Sequence, residues 1–489
     1  MFEKVRNAEG TGLPDNDKLF GLQFIGKLSV QRIFLFFSVT WGVLTVFLTP
    51  PFQVPDENVH FFRIYHISTG HFVAGINHNQ IGGFIPESVL RLDSVFSKIR
   101  FKPGRKVSRE DWLHAINIPL NPERQSFANF QFVAHYSPVP YLPQTLGLML
   151  PRLLQLRPLF LLYAARLGNL FIWTILIYLA IGITPLSGWM FLLVALLPMS
   201  VFQGASVSGD AMANGLAFLL TALIFRLAFD DKKSIGRRDI LQVILVAGLL
   251  ALCKNAYFFL ILPVVLIPAW KFPSGKKRLL AVMGILSVVA VAVIAGSLYM
   301  QYVYRHFDMS AGMYASIPRA PRNVFPYKQL DFILTHQGVY IKTILSELWE
   351  KKRLISESFI GRLGWLDTPL PGLYIIFAWV MLLFVSLIGP GEINTITPVQ
   401  RGLLFITLCS VVMVMCTLLY MSWNPVGSPT IRGINQGRYF IAIAPLALSL
   451  FFNRHFKLQK KVIQVTCLLF IAVSVVVMTS SMISRYYLE

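Results

Sequence analysis

Residues 31–50, QRIFLFFSVTWGVLTVFLTP, carry a single charge, Arg32, near their start. About 20 consecutive apolar residues are what a helix needs to cross the hydrocarbon core of a bilayer. The same pattern returns at 159–183 (LFLLYAARLGNLFIWTILIYLAIGI), 279–300 (LLAVMGILSVVAVAVIAGSLYM) and 462–482 (VIQVTCLLFIAVSVVVMTSSM). The 489-residue chain is 55% apolar and 14% charged, against roughly 25% charged for a soluble domain. These features exclude a soluble enzyme and predict an all-α polytopic membrane protein. A transmembrane barrel would alternate apolar and polar residues instead. No short repeat or heptad supports a fibrous or coiled-coil chain.

Lys and Arg outnumber Asp and Glu by 44 to 23, a net charge of +21. In a membrane protein, basic residues in short loops report orientation, so no nucleic-acid partner is expected. Lys4, Arg6, Lys18, Lys27 and Arg32 place the start of the first span in the cytoplasm, and that span reads as an uncleaved signal anchor. Eleven spans are expected, at about 31–50, 159–182, 189–205, 210–229, 239–252, 256–270, 279–303, 371–389, 402–421, 438–452 and 462–482. The basic clusters Lys232–Arg238, Lys271–Arg278 and Arg454–Lys461 then all fall inside. This holds only if 141–156, YLPQTLGLMLPRLLQL, lies along the outer surface instead of crossing. The pieces 239–252 and 256–270 are short and read as a shallow hairpin around Lys254 and Asn255. The organisation is thus a cytoplasmic segment (1–30), one membrane domain (31–482) with long extracytoplasmic loops at 51–158 and 304–370, and a short outer tail (483–489). Cys253, Cys409, Cys416 and Cys467 lie in or beside apolar segments without a CxxC pair, which favours packing over a disulfide or zinc site.

Polar groups gather at the expected outer ends of the spans. In FQVPDENVHFFRIYH (52–66), Pro55 is expected at the first helical position and Asp56 and Glu57 in the first turn. Asp56, His60 and Arg63 then share one face. Alone, this fits ordinary helix-start chemistry as well as a site. Asp210 ends GASVSGD (204–210) and reads as an N-cap or a site residue. Lys254 interrupts LALCKNAYFFLILP (250–263), where an ammonium costs about 2.5–3.5 kcal/mol on insertion scales unless it snorkels to the interface. Trp365 and Asp367 stand in GRLGWLDTPLP (361–371), suited to an interfacial turn or a site. Arg432, Arg438 and Tyr439 belong to NPVGSPTIRGINQGRYF (424–440), where Gly437 permits close approach to an anion at a helix start.

Together these groups suit transfer from a lipid-linked phosphate. A carboxylate takes the acceptor's proton while cations stabilise the departing phosphate. The spacing of His60, His66, His71 and His78 does not suit zinc. A divalent cation held by Asp56 or Glu57 with Asp210 stays open. Walker A, GxGxxG and GxSxG motifs are absent, so ATP-driven, dinucleotide and serine-hydrolase chemistries lack their usual fingerprints.

The ordered set PDENVHFFRIYHISTG, SPVPYLPQTLGLMLPRLL, AARLGNL, LLPMSVFQGASVSGDAMANG, LCKNAYFFLILP, GRLGWLDTPLP and INQGRYFIAIAPLAL resembles a bacterial family of polytopic membrane proteins of unknown function, grouped with the GT-C glycosyltransferases. The resemblance covers about 30–455. It implies a GT-C-like fold in the bacterial cytoplasmic membrane, a polyprenyl-phosphate-sugar donor and a glycan or lipid-linked acceptor outside it. By that resemblance Asp56 is the base, and Glu57 positions the acceptor or a cation. Lys254 and Arg438, with Arg432, Arg63 and His60 beside them, face the donor phosphate, and Asp210, Trp365, Asp367 and Tyr439 support the site. The charged stretch 86–126 matches none of the family's motifs.

The expected activity is inverting transfer of one sugar. The alternatives are a flippase or translocator, which would need the cations but not Asp56 for chemistry, and a polymerase or ligase that takes a whole oligosaccharide. Pocket size separates the last from the first.

Overall fold

The computed structural model describes residues 28–230, 234–318, 320–388, 396–453 and 458–488. Most of the expected cytoplasmic segment, with Lys4, Arg6, Lys18 and Lys27, lies outside the described residues, as do Lys232, Lys233, Arg454 and Lys457.

Backbone polar groups in hydrocarbon must be satisfied within the segment, so long apolar runs wind into helices. Among the described residues six helices are long and apolar enough to cross a bilayer: Val30–Leu48, Pro158–Ile183, Asp210–Phe229, Gly275–Tyr304, Pro398–Trp423 and Lys460–Tyr486. Local chemistry starts them. The Ser29 hydroxyl accepts the Arg32 N–H, and Thr397 and Gln400 form a capping box around Pro398. The last helix runs on to Tyr486, so most of the expected outer tail is helical. Asp210–Phe229 is central, 89% of its most apolar window being buried, whereas Gly275–Tyr304 is peripheral at 17%.

Three expected spans are irregular. Pro198 has no N–H to continue a helix, and 189–205 becomes Gly188–Ala195 followed by Pro198–Gly204. Segment 438–452 becomes a 3-10 turn, Gly437–Ile443, leading into Ala444–Ser449. Asn255–Leu266 is 3-10 throughout. At about 2.0 Å per residue its twelve residues rise about 24 Å, close to the roughly 25 Å of the α-helix Arg237–Cys253. The two arms of this hairpin are therefore similar in length.

Hydrogen bonds sort the helix ends into two sets. At one end Tyr487 Oη donates to Leu48 O, and Val107 N–H to Tyr486 O. There Arg485 joins the first loop, through Ile99 O and Arg105 O, to Asp367 of the second. At the other end Gln31 bonds Tyr178 O, and Lys271 bonds Leu227 O. Arg401 there reaches Leu450 O and Phe452 O. Both long loops thus share one end, and the described short basic connections share the opposite one.

The first loop carries a three-stranded antiparallel sheet, Gly75–Asn77, Gln80–Pro86 and Gln125–Asn129, that sequence reading did not anticipate. The second folds into Pro326–Thr335, Gln337–Glu350 and Lys352–Gly361. Asn79 ties the two loops together, donating to Asp308 O and accepting from the Ser316 hydroxyl through its carbonyl.

The segment expected along the outer surface forms the helix Leu142–Leu153, about 18 Å long and too short to cross. Instead of lying alone it folds back along Pro158–Ile183. A Cβ on Gly147 would stand 2.6 Å from Ala164 O, and one on Gly168 2.5 Å from Pro143 O, so only glycine permits this backbone contact.

Glu57 and Arg166 lock the first loop to the bundle. Arg166 Nε and Nη2 donate to the two carboxylate oxygens at 2.8 and 2.6 Å. The remaining guanidinium donors take Val46 O, Thr49 O and Pro50 O. Glu57 also accepts the N–H groups of Phe52 and Val207. Both side chains are fully buried.

Two outcomes are expected. Arg166→Ala strands a buried carboxylate and should cost about 3–5 kcal/mol, read as a lowered Tm in nanodiscs; an unchanged Tm would remove the pair from its central place. In a cysteine-free background, Lys102→Cys should react with an impermeant maleimide in intact cells and Lys276→Cys only after permeabilisation. Equal labelling would contradict the two-ended arrangement.

Candidate functional site

Where the first loop meets the helix ends lies a cavity of about 290 Å³. Its walls come from the start of helix Glu57–Ser68, the 132–140 segment, the Gly209–Asp210 turn, the Lys254 tip of the hairpin and Arg438–Tyr439. Gly275–Tyr304 and Pro398–Trp423 close it with Gly296, Met300, Met415 and Leu418, giving an apolar side.

Asp56 is not within the helix, as sequence reading expected. It is the N-cap of Glu57–Ser68 with φ +65° and makes no side-chain capping bond. Left-handed backbone is uncommon outside glycine, and asparagine and aspartate tolerate it best. The consequence is that Asp56 and Glu57 part company. Glu57 turns into the bundle to Arg166, while the Asp56 carboxylate, 41% exposed, borders the cavity 3.3 Å from Arg438 Nη2.

A second carboxylate organises the cations. Asp210 accepts from Lys254 Nζ at 2.6 Å and from Gln203 Nε2 at 3.2 Å, and lies 4.0 Å from Arg438 Nε. That Nε is buried without a hydrogen-bond partner among the described residues. Lys254 Nζ also stands 4.5 Å from the centre of the Tyr439 ring, within cation–π range. Tyr439 is itself held by its carbonyl, which accepts from Tyr257 Oη. The row Asp56, Arg438, Asp210, Lys254 alternates in sign and joins four separate parts of the chain.

His60 lines the cavity, but as a neutral group. Burial lowers its pKa to about 4, outweighing the opposing field of Asp56, and Nδ1 pairs with Tyr141 Oη at 2.9 Å. His60, expected beside the donor phosphate, is therefore an uncharged hydrogen-bonding group there. His135, held near 4 by burial and by His60, and Tyr136, pushed up to about 12, are further uncharged cavity groups that sequence reading missed. Arg166 was also missed as the partner of Glu57, although an arginine inside an apolar helix is itself a signal.

The other expected site residues stand elsewhere. Glu57 is unavailable for acceptor or cation because all its lone pairs are engaged. Arg63 is a clamp: its Nη2 reaches Tyr299 Oη and Phe72 O, anchoring the first loop to Gly275–Tyr304. The Arg432 residue is exposed and does not line the cavity. Trp365 Nε1 donates to Phe52 O and Asp367 pairs with Arg485, so both brace the turn behind Asp56. Gly437 does permit close approach, but to protein. A Cβ there would lie 2.1 Å from Ile355 O, and its N–H is taken by the Ser358 hydroxyl. Asp56, Glu57 and Asp210 do not converge as a metal set, and among the described residues no three His, Cys, Asp or Glu side chains do.

No curated protein and no solved structure matches the chain. The family described as Predicted membrane protein (DUF2142) matches residues 37–447, a stretch that contains the residues lining the cavity and both long loops. The chain belongs to this family of membrane proteins.

Proposed function

We propose that the protein is a glycosyltransferase of the cytoplasmic membrane. It moves one sugar from a polyprenyl-phosphate donor to a hydroxyl of an envelope glycan or lipid-linked acceptor. In this reading the fold is GT-C-like, with eleven spans counted by including the irregular segments. The N-terminus lies inside and the cavity opens outside, as the basic ends of the helices favour.

The observation that carries the proposal is the placement of Asp56. Its carboxylate is released from capping, partly open and beside the Arg438 guanidinium, with Lys254 lining the same cavity. Asp56 takes the proton of the acceptor hydroxyl as the oxygen attacks the anomeric carbon. The bond from that carbon to the phosphate oxygen breaks, and the phosphate keeps the electron pair. Direct displacement inverts the anomeric centre. Arg438 and Lys254 stabilise the leaving phosphate. Charge in the cavity is conserved, because the carboxylate loses one negative charge as the phosphate gains one.

Two further features support the reading. The apolar side formed by Met300, Met415 and Leu418 suits a lipid tail. A cavity of about 290 Å³ lies at the small end of ligand sites, which favours one sugar over a preassembled oligosaccharide.

Purified protein in nanodiscs, supplied with a panel of radiolabelled decaprenyl-phosphate sugars and extracted envelope acceptors, should transfer label. Asp56→Asn should slow transfer by about 10²–10⁴ while decaprenyl-phosphate binding persists. Lys254→Gln should weaken that binding. Undiminished turnover in Asp56→Asn would remove Asp56 from the chemistry. Binding without transfer from any donor would favour translocation.

A further inference from the structure

The cavity's polar groups divide by charge. Asp56, Arg438, Asp210 and Lys254 neutralise one another at one part of its wall. Three other groups, His135, Tyr136 and Asn255, also line it, are uncharged near neutral pH, and bond no other described residue through their side chains. Polar groups facing an enclosed space are normally satisfied by protein, water or ligand, so this trio has hydrogen-bonding capacity to spare.

Next to them is an aromatic cluster. Phe132 and Trp423 both line the cavity and stack at 5.1 Å, and Tyr314 packs on Phe132 at 5.1 Å and on Trp423 at 5.4 Å. The three rings come from the first loop, the second loop and the end of Pro398–Trp423. This arrangement fixes the rings without any one element having to hold them. Flat apolar ring surfaces beside uncharged donors and acceptors match a ligand with an apolar face and a hydroxylated rim. A second charged group would find no counterion there.

We infer that Phe132 and Trp423, with His135, Tyr136 and Asn255, form a subsite for an uncharged, hydroxyl-bearing saturated ring, set beside the charged row. The inference rests on the transferase reading of that row, since it places a ring next to the leaving phosphate. One ring chemistry has two sources, the sugar on the donor and the terminal sugar of the acceptor.

The test uses full-length protein in nanodiscs prepared without sugar-headed detergents. Saturation-transfer NMR is recorded with a panel of methyl hexopyranosides and methyl N-acetylhexosaminides. At least one should receive saturation on its ring C–H protons. The signal should fall at least about fivefold in Phe132→Leu, as loss of an aromatic face implies, and also in His135→Gln. Size-exclusion profiles and circular dichroism establish that each variant is folded. The decaprenyl-phosphate sugar bearing the same hexose then distinguishes the sources: displacement of the glycoside assigns the donor ring, and co-occupancy the acceptor ring. No saturation above empty nanodiscs, or an undiminished signal in either folded variant, overturns the subsite. A persistent glycoside signal in a protein that does not bind decaprenyl phosphate would refute the lipid-phosphate reading while leaving the subsite standing.

Discussion

The buried pair of Glu57 and Arg166 is the constraint on which the architecture around the cavity depends. A carboxylate and a guanidinium without access to water are tolerated only if every donor and acceptor is matched. Here the matching groups belong to the end of the first helix, the turn after it, helix Pro158–Ile183 and the turn before Asp210. Satisfying the pair therefore fixes four chain segments against one another. Asp56 is held at the edge of that arrangement, and its left-handed backbone lets one member of an adjacent acidic pair face inward and the other face the cavity.

A second layer of contacts supports the same turn from outside. Arg485, at the end of the last long helix, links Asp367 to the backbone of the first loop, and Trp365 holds Phe52. Arg63 and Tyr299 do the equivalent on the far side. Residues that looked like members of the site thus position it without entering it. The charges that do border the cavity form a row of two acids and two cations. Such a row needs no ligand to be neutral, yet it leaves the Asp56 carboxylate partly exposed at the cavity for one.

Much of the fold was legible in the chain. Hydropathy runs are nearly independent of tertiary context, because bilayer thickness and backbone hydrogen bonding dictate length and helix. That logic found the six long helices seen among the described residues. It failed on irregular segments, where apolar composition is the same for an α-helix, a 3-10 helix or a broken pair. Pro198 and Pro263 were visible breakers, but the reach of Asn255–Leu266 follows from its winding and not from its residue count. The sheet in the first loop was hidden because its strands are short and one of them lies far along the chain.

By itself, the sequence determined that this chain is an all-α membrane protein whose basic connections and long loops segregate. It also singled out Asp56, Asp210, Lys254, Arg438 and Tyr439, all of which border one cavity. Only the tertiary structure decided which member of the Asp56–Glu57 pair faces that cavity, since neighbours in sequence diverge when one backbone turns left-handed. Packing likewise decided that His60 is neutral, that Arg63 and Asp367 are braces and that His135 faces the cavity. Charge state and partner depend on burial and on groups more than a hundred residues away, which local pattern does not encode.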